Sequence, residues 1–87
     1  MRIDDPADLG RYVRDRRNDM ALTQADLARR AGVSRRWILE LEAGKPTAEL
    51  GLVFKVVSAL DHFVDVRPEP RREVDLDTYL DHMDGSL

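Results

Sequence analysis

Residues 22–45 read LTQADLARRAGVSRRWILELEAGK, and this run decides the architecture of the chain. Thr23 is a good N-cap and Asp26 follows three residues later, so a helix is primed to start there. Leu27, Ala28 and Ala31 recur at helical spacing and give that helix a narrow buried stripe. Its alanines let a second helix approach closely. Gly32 can take a positive φ without steric cost, which permits a sharp corner. Val33 can pack under the corner, and Ser34 is the next N-cap. Trp37, Ile38 and Leu41 follow at helical spacing. Gly44 is placed to end the second helix, and Pro46 prevents its continuation. The result is two short helices joined by a tight turn, the second opening with Arg35 and Arg36. Such a helix suits insertion into a DNA major groove.

Size and charge bound the reading. Eighty-seven residues make one small domain with a tail. A core this small is marginal, so dimerisation is a natural source of further burial. The chain has no cysteine, which excludes a disulfide framework and a thiolate metal site and fits a reducing cytoplasm. No apolar run approaches a membrane span and no signal-peptide core opens the chain, so a membrane partner is not expected. The net charge is −3, but it is unevenly spread. Residues 1–46 carry ten Lys or Arg and eight Asp or Glu, whereas residues 47–87 carry four and nine. Local field governs phosphate attraction more than net charge does, so the first half remains a fit surface for DNA with steep salt dependence.

Around the central run, Asp5-Pro6 marks the start of a first helix near residues 6–19, with Leu9, Tyr12, Val13 and Met20 on its inner face. Thr47 is read as the cap of a fourth helix that runs to about Leu60. That helix is apolar on two sides: Leu50, Val53, Phe54, Val57 and Leu60 on one, Leu52, Val56 and Ala59 on the other. One side closes the core and the second, with Leu52 and Val56, is assigned to a dimer interface. Residues 62–67, HFVDVR, alternate in period two and read as a β-strand. A single strand cannot stand alone, so Phe63, Val64 and Val66 are expected to pair with a second copy. Residues 68–72 form a stiff linker. Residues 73–87 hold five acids and no Lys or Arg, with Leu76, Leu80 and Met83 at helical spacing and Tyr79 beside them. This tail is either a solubilising extension or a short amphipathic segment that folds on a partner.

The central run in register resembles the helix-turn-helix of the Cro/CI repressor family, also called the XRE family. The marks are Gln24 opening the first motif helix, Ala28 and Gly32 at the turn, Ile38 within the second, and Leu41-Glu42-x-Gly44-Lys45 closing it. The match covers roughly Leu9 to Leu60. It implies an all-α, four-helix, lambda-repressor-like domain over residues 1–61, followed by a dimerisation strand at 62–67 and a linker with acidic tail at 68–87. By the same resemblance the base-reading positions fall on Arg35, Arg36 and Glu40. An arginine fork can bond O6 and N7 of guanine, and a carboxylate can accept from the cytosine amino group or orient an arginine. The alternative for either arginine is a phosphate contact only. Gln24, Ser34 and Lys45 are phosphate candidates, Gln24 because a helix N-terminus offers open N–H groups. Lys45 has the alternative of a solvated loop lysine. Arg17 and Glu42 resemble the family's structural ion pair. Trp37 departs from the small polar residue usual at its position, and either packs on the sugar-phosphate wall or covers the core. Leu39 sits on the outer side of the helix, where it can meet a thymine methyl.

The short build, the helix over 44–60, the strand and the acidic tail also resemble HipB-type antitoxins. That implies a homodimer on palindromic double-stranded operator DNA, repression of its own operon, a HipA-like Ser/Thr kinase toxin as partner, and residence in the cytoplasm on the nucleoid. A stand-alone repressor and an interaction adaptor that has lost DNA binding are the alternatives. Enzyme readings are poor. His62 and His82 lie far apart with no hydrolase spacing around them, and there is no Gly-rich phosphate loop. His82 with Asp81 and Asp84 reads as a solvated cluster, so neither metal nor cofactor is expected.

Overall fold

A computed structural model describes residues 1–70 as four helices: α1 (Pro6–Asp19), α2 (Gln24–Ala31), α3 (Arg35–Glu42) and α4 (Leu50–Ala59). The first three starts each have a local cause. Asp5 caps α1 by accepting from the Asp8 N–H at 2.8 Å, with Pro6 in the first turn. Thr23 and Asp26 form a reciprocal capping box at α2, at 3.0 and 2.9 Å. Ser34 caps α3 by accepting from the Trp37 N–H at 3.0 Å.

The four ends share one device. Ala21, Gly32, Gly44 and Asp61 sit in the left-handed region, at φ 56°, 72°, 87° and 59°. Behind each, a paired set of backbone bonds closes the helix: Leu22 to Arg17 with Ala21 to Asn18, Val33 to Ala28 with Gly32 to Arg29, Lys45 to Glu40 with Gly44 to Leu41, and His62 to Val57 with Asp61 to Ser58. This Schellman arrangement satisfies carbonyls that a helix end would otherwise leave open.

The core is apolar throughout: Val13, Leu27, Ala28, Ala31, Ile38, Leu41, Val53, Val56 and Leu60, with no buried polar residue among those described. Val13, Leu27, Ile38 and Val56, one from each helix, are the most deeply buried. Gly10 sets the spacing of α1 against α3, because a Cβ there would lie 2.4 Å from the Leu41 carbonyl oxygen and 2.8 Å from that of Glu42.

Two expectations are corrected. Thr47 does not cap α4. It lies in a turn with Pro46, Ala48 packs against the core, and the helix starts only after Glu49, whose side chain makes no cap bond. Val56 is fully buried inside its own subunit and belongs to the core, not to a dimer interface; Leu50 and Phe54 are the residues of α4 that stand out, 66% and 50% exposed. The physical reason is that α4 is apolar on both sides, so its period alone does not choose the inward one. Residues 62–70 carry neither helix nor β-ladder in this single chain; the strand expected over 62–67 is one that pairs with a second copy, and one strand alone has no ladder to join.

Candidate DNA-binding interface

The candidate interface centres on α3, and α3 is held from beneath. Ile38 is fully buried and Leu41 nearly so, which turns Arg35, Arg36 and Leu39 outward. Trp37 is partly buried and covers the core, the second of the two places the sequence offered it. Leu39 is 54% exposed, an apolar side chain offered to the outside of the helix.

Below the outer edge lies the ion pair that fastens α1 to α3. Arg17 Nε donates to Glu42 Oε2 at 2.8 Å and Nη2 to Oε1 at 3.0 Å, with side chains only 12% and 5% exposed. Arg17 Nη1 also donates to the Leu22 carbonyl at 2.8 Å, pinning the loop that leads into α2. The carboxylate raises the Arg17 pKa through that bond, so the guanidinium stays charged. Gln24, expected at a phosphate, donates through Nε2 to Glu42 Oε1 at 3.3 Å. Gln24 stands in the first turn of α2, where the first backbone N–H groups of a helix have no intrahelical carbonyl to bond.

On the exposed side a second carboxylate is shared. Glu40 Oε1 accepts from Arg36 Nε at 3.3 Å and Oε2 from Lys45 Nζ at 3.1 Å. Lys45 and then Arg36 hold the Glu40 carboxyl below its ordinary range. Arg36 remains 86% exposed despite this bond. Arg35 is exposed and makes no ion pair with any described residue. Ser34 spends its oxygen on the α3 cap and keeps a hydroxyl hydrogen to donate. Arg36, Glu40 and Lys45 are therefore joined at one edge of α3 and Ser34 caps its start, whereas Arg35 is exposed without a contact to them and Gln24 is joined to Glu42 instead.

The other singled-out residues lie elsewhere. Phe63 and Val66 are 85% and 88% exposed, and Val64 is half exposed, beyond the end of α4. Leu52 is half-buried. The tail residues Leu76, Tyr79, Leu80 and Met83 lie outside the described residues. One contact had no signal in the sequence pattern: Tyr12 and His62, fifty positions apart, meet at 2.7 Å with rings edge to face. Nδ1 of His62 donates to the Leu60 carbonyl at 2.8 Å, which leaves Nε2 to accept from the Tyr12 hydroxyl in the neutral ring. Arg2 pairs with Glu69, so the segment after α4 runs back past α1 toward the start of the chain. No group of His, Asp or Glu among the described residues is disposed to hold a metal, and none of the described helices is long and apolar enough to cross a membrane.

The model of the family described as "Helix-turn-helix domain" matches residues 8–74. A relative in Sinorhizobium fredii, named an uncharacterized HTH-type transcriptional regulator y4mF, is 47% identical over 73 residues, covering 83% of this chain and 96% of its own. Another, from Methanothermobacter thermautotrophicus and also named an uncharacterized HTH-type transcriptional regulator, is 38% identical over 56 residues, covering 62% and 81%. Among solved structures, a chain of a "HipB-O4 20mer complex" superposes with a TM-score of 0.75 at 21% identity, over 80% of this chain and 99% of its own. A chain from a "HipA-HipB-O2-O3 complex" gives the same TM-score, identity and coverage. The fold is thus the HipB-like arrangement of four helices, and the chain belongs to the XRE type of the helix-turn-helix domain family.

Proposed function

We propose that this chain is a sequence-specific transcriptional repressor that binds palindromic operator DNA as a homodimer. The observation that carries the reading is the pair Arg35 and Arg36, exposed side by side at the first turn of α3, on a helix whose opposite face is locked into the core. Two adjacent outward guanidinium groups have little use in folding, and they match the hydrogen-bonding edge of guanine. Ser34, Lys45 and the N-terminus of α2 with Gln24 are suited to the flanking phosphates. The apolar side chains of Phe63, Val64 and Val66, open to solvent in one chain, favour a second copy as their cover and a strand pair as its form. Two recognition helices would then enter successive major grooves ~34 Å apart.

Within this reading the protein is the antitoxin of a HipB-type pair, repressing its own operon and neutralising a HipA-like Ser/Thr kinase, with the cytoplasm as its place of action. The likeness of fold to HipB chains supports this, as does the small build with an acidic, apolar-bearing tail. The test is tandem purification of the tagged protein from its host. Co-purification of a kinase whose activity falls in its presence supports the antitoxin role. A homodimer that binds its promoter but brings down no kinase leaves a stand-alone repressor, and a chain that brings down protein but never shifts DNA is an adaptor.

A further inference from the structure

We infer that Glu40 is a positioning residue for sequence recognition: it accepts from Arg36 Nε and Lys45 Nζ, and so fixes how the Arg36 guanidinium is presented, while making no base contact of its own. The inference rests on the DNA-binding reading above and assigns Glu40 a role within it.

The geometry separates the two uses a carboxylate can have on this helix. Glu40 lies one turn after Arg36, and its two oxygens are divided between two cations, Oε1 to Arg36 and Oε2 to Lys45. A carboxylate that accepts a charged donor on each oxygen has half of its lone-pair sites taken by cations, with which a neutral cytosine amino group must compete for its direction. The bond to Arg36 goes through Nε. That leaves the two terminal Nη groups, which are the ones that reach O6 and N7 of guanine end-on, with no partner among the described residues. An 86% exposed arginine would otherwise sample many rotamers, and ordering it on binding costs affinity. Lys45 completes the arrangement from the turn after α3, where its own N–H closes the helix on the Glu40 carbonyl. Main chain and side chain of Glu40 thus hold the same lysine.

The role predicts an effect against charge. Removing a carboxylate from a DNA-facing surface should strengthen binding to any duplex, whereas loss of a positioning residue should weaken binding to the correct one. The experiment compares wild type, Glu40→Ala, Arg36→Ala and the double variant on promoter DNA and on random duplex at one salt concentration. In parallel, the Arg36 Nε–H is followed by NMR in the free protein. The expected result is that Glu40→Ala loses ~2–5-fold on promoter DNA and gains on random duplex, with no further loss when Arg36 is already alanine. The Arg36 Nε–H is expected to be protected from exchange in wild type and unprotected in Glu40→Ala. An equal loss from Glu40→Ala with and without Arg36 would mean a direct base contact and overturn the inference, as would an Nε–H indifferent to the substitution. Wild type that fails to distinguish promoter from random DNA would instead overturn the DNA-binding reading beneath it, whatever the NMR arm reports.

Discussion

Arg17 and Glu42, twenty-five positions apart, meet through two parallel hydrogen bonds of 2.8 and 3.0 Å, and this pair ties α1 to the end of α3. Glu42 is nearly closed off from water and also accepts from Gln24, so three elements converge on one carboxylate. The consequence is that Arg35, Arg36 and Glu40 project from a helix that is braced at both ends, by the Ser34 cap and by this pair. Removing Arg17 leaves the largely covered Glu42 carboxylate with Gln24 as its remaining side-chain partner among the described residues. Arg17→Ala is expected to cost about 3–5 kcal/mol and to abolish DNA binding only through unfolding. Urea unfolding checks the first statement. Recovery of binding at low temperature or in stabilising osmolyte checks the second.

Gly10 and Gly51 give opposite predictions for the same substitution. At Gly10 the new Cβ would collide with two backbone oxygens of α3, neither of which can swing aside, so Gly10→Ala should destabilise by about 1–3 kcal/mol despite the better helix propensity of alanine. At Gly51 nothing lies within 4 Å, so Gly51→Ala should be neutral or stabilising by up to about 1 kcal/mol. Thermal unfolding of the two variants side by side tests both.

Two of the four left-handed helix ends are not glycine. Asp61 tolerates the conformation through its short polar side chain, but Ala21 at φ 56° has no such relief. Ala21→Gly should raise stability by about 0.5–1 kcal/mol, and Gly32→Ala, where nothing crowds the Cβ, should lower it by a similar amount through backbone strain alone. Denaturant midpoints decide the signs.

The capping box of α2 makes stability depend on pH. The Thr23 backbone N–H, then its hydroxyl, and then Arg29 hold the Asp26 carboxyl below its ordinary value. The folded pKa is depressed, so the contribution is full above the ordinary aspartate value of about 3.9 and is lost as pH falls through the lower folded value. Asp26→Asn should therefore show a shallower loss of stability on acidification over that window than wild type, measured by urea unfolding across the acid range.

The exposed apolar run after α4 predicts an oligomeric change. Replacing Val64 and Val66 together by Asp should leave the four-helix domain folded, since neither side chain is in its core, and should convert a dimer to a monomer with operator affinity lost at least ~10-fold. Sedimentation equilibrium and far-UV circular dichroism read the two halves of that statement.

Much of the fold is legible because its signals are local. Thr23 with Asp26, Ser34, Gly32 and Gly44 each act within a few residues of themselves, and each is readable from its own neighbourhood. Arg17 and Glu42 are legible only through the family pattern, since nothing local joins them. The rest depends on what lies far along the chain. Gly10 in a helix reads as a weak helix former until the α3 backbone is laid on it. Tyr12 and His62 find one another only after α4 has turned back. Val56 reads as an interface residue because both sides of α4 are apolar, and Thr47 reads as a cap although it stands in a turn whose next residue, Ala48, is drawn to the core. At the interface the residue types are readable, but the division of the Glu40 carboxylate between Arg36 and Lys45 is not, because it needs the turn after α3 in three dimensions.

The most direct test of the central claim is the affinity of Arg36→Ala relative to wild type, measured by fluorescence anisotropy on the protein's own upstream promoter DNA and on random duplex across a salt series. The expected result is a loss of ~5–100-fold on the promoter with a far smaller change on random DNA, at two chains per site. An equal loss on both sequences would contradict it, since Arg36 would then be holding phosphate and not reading bases.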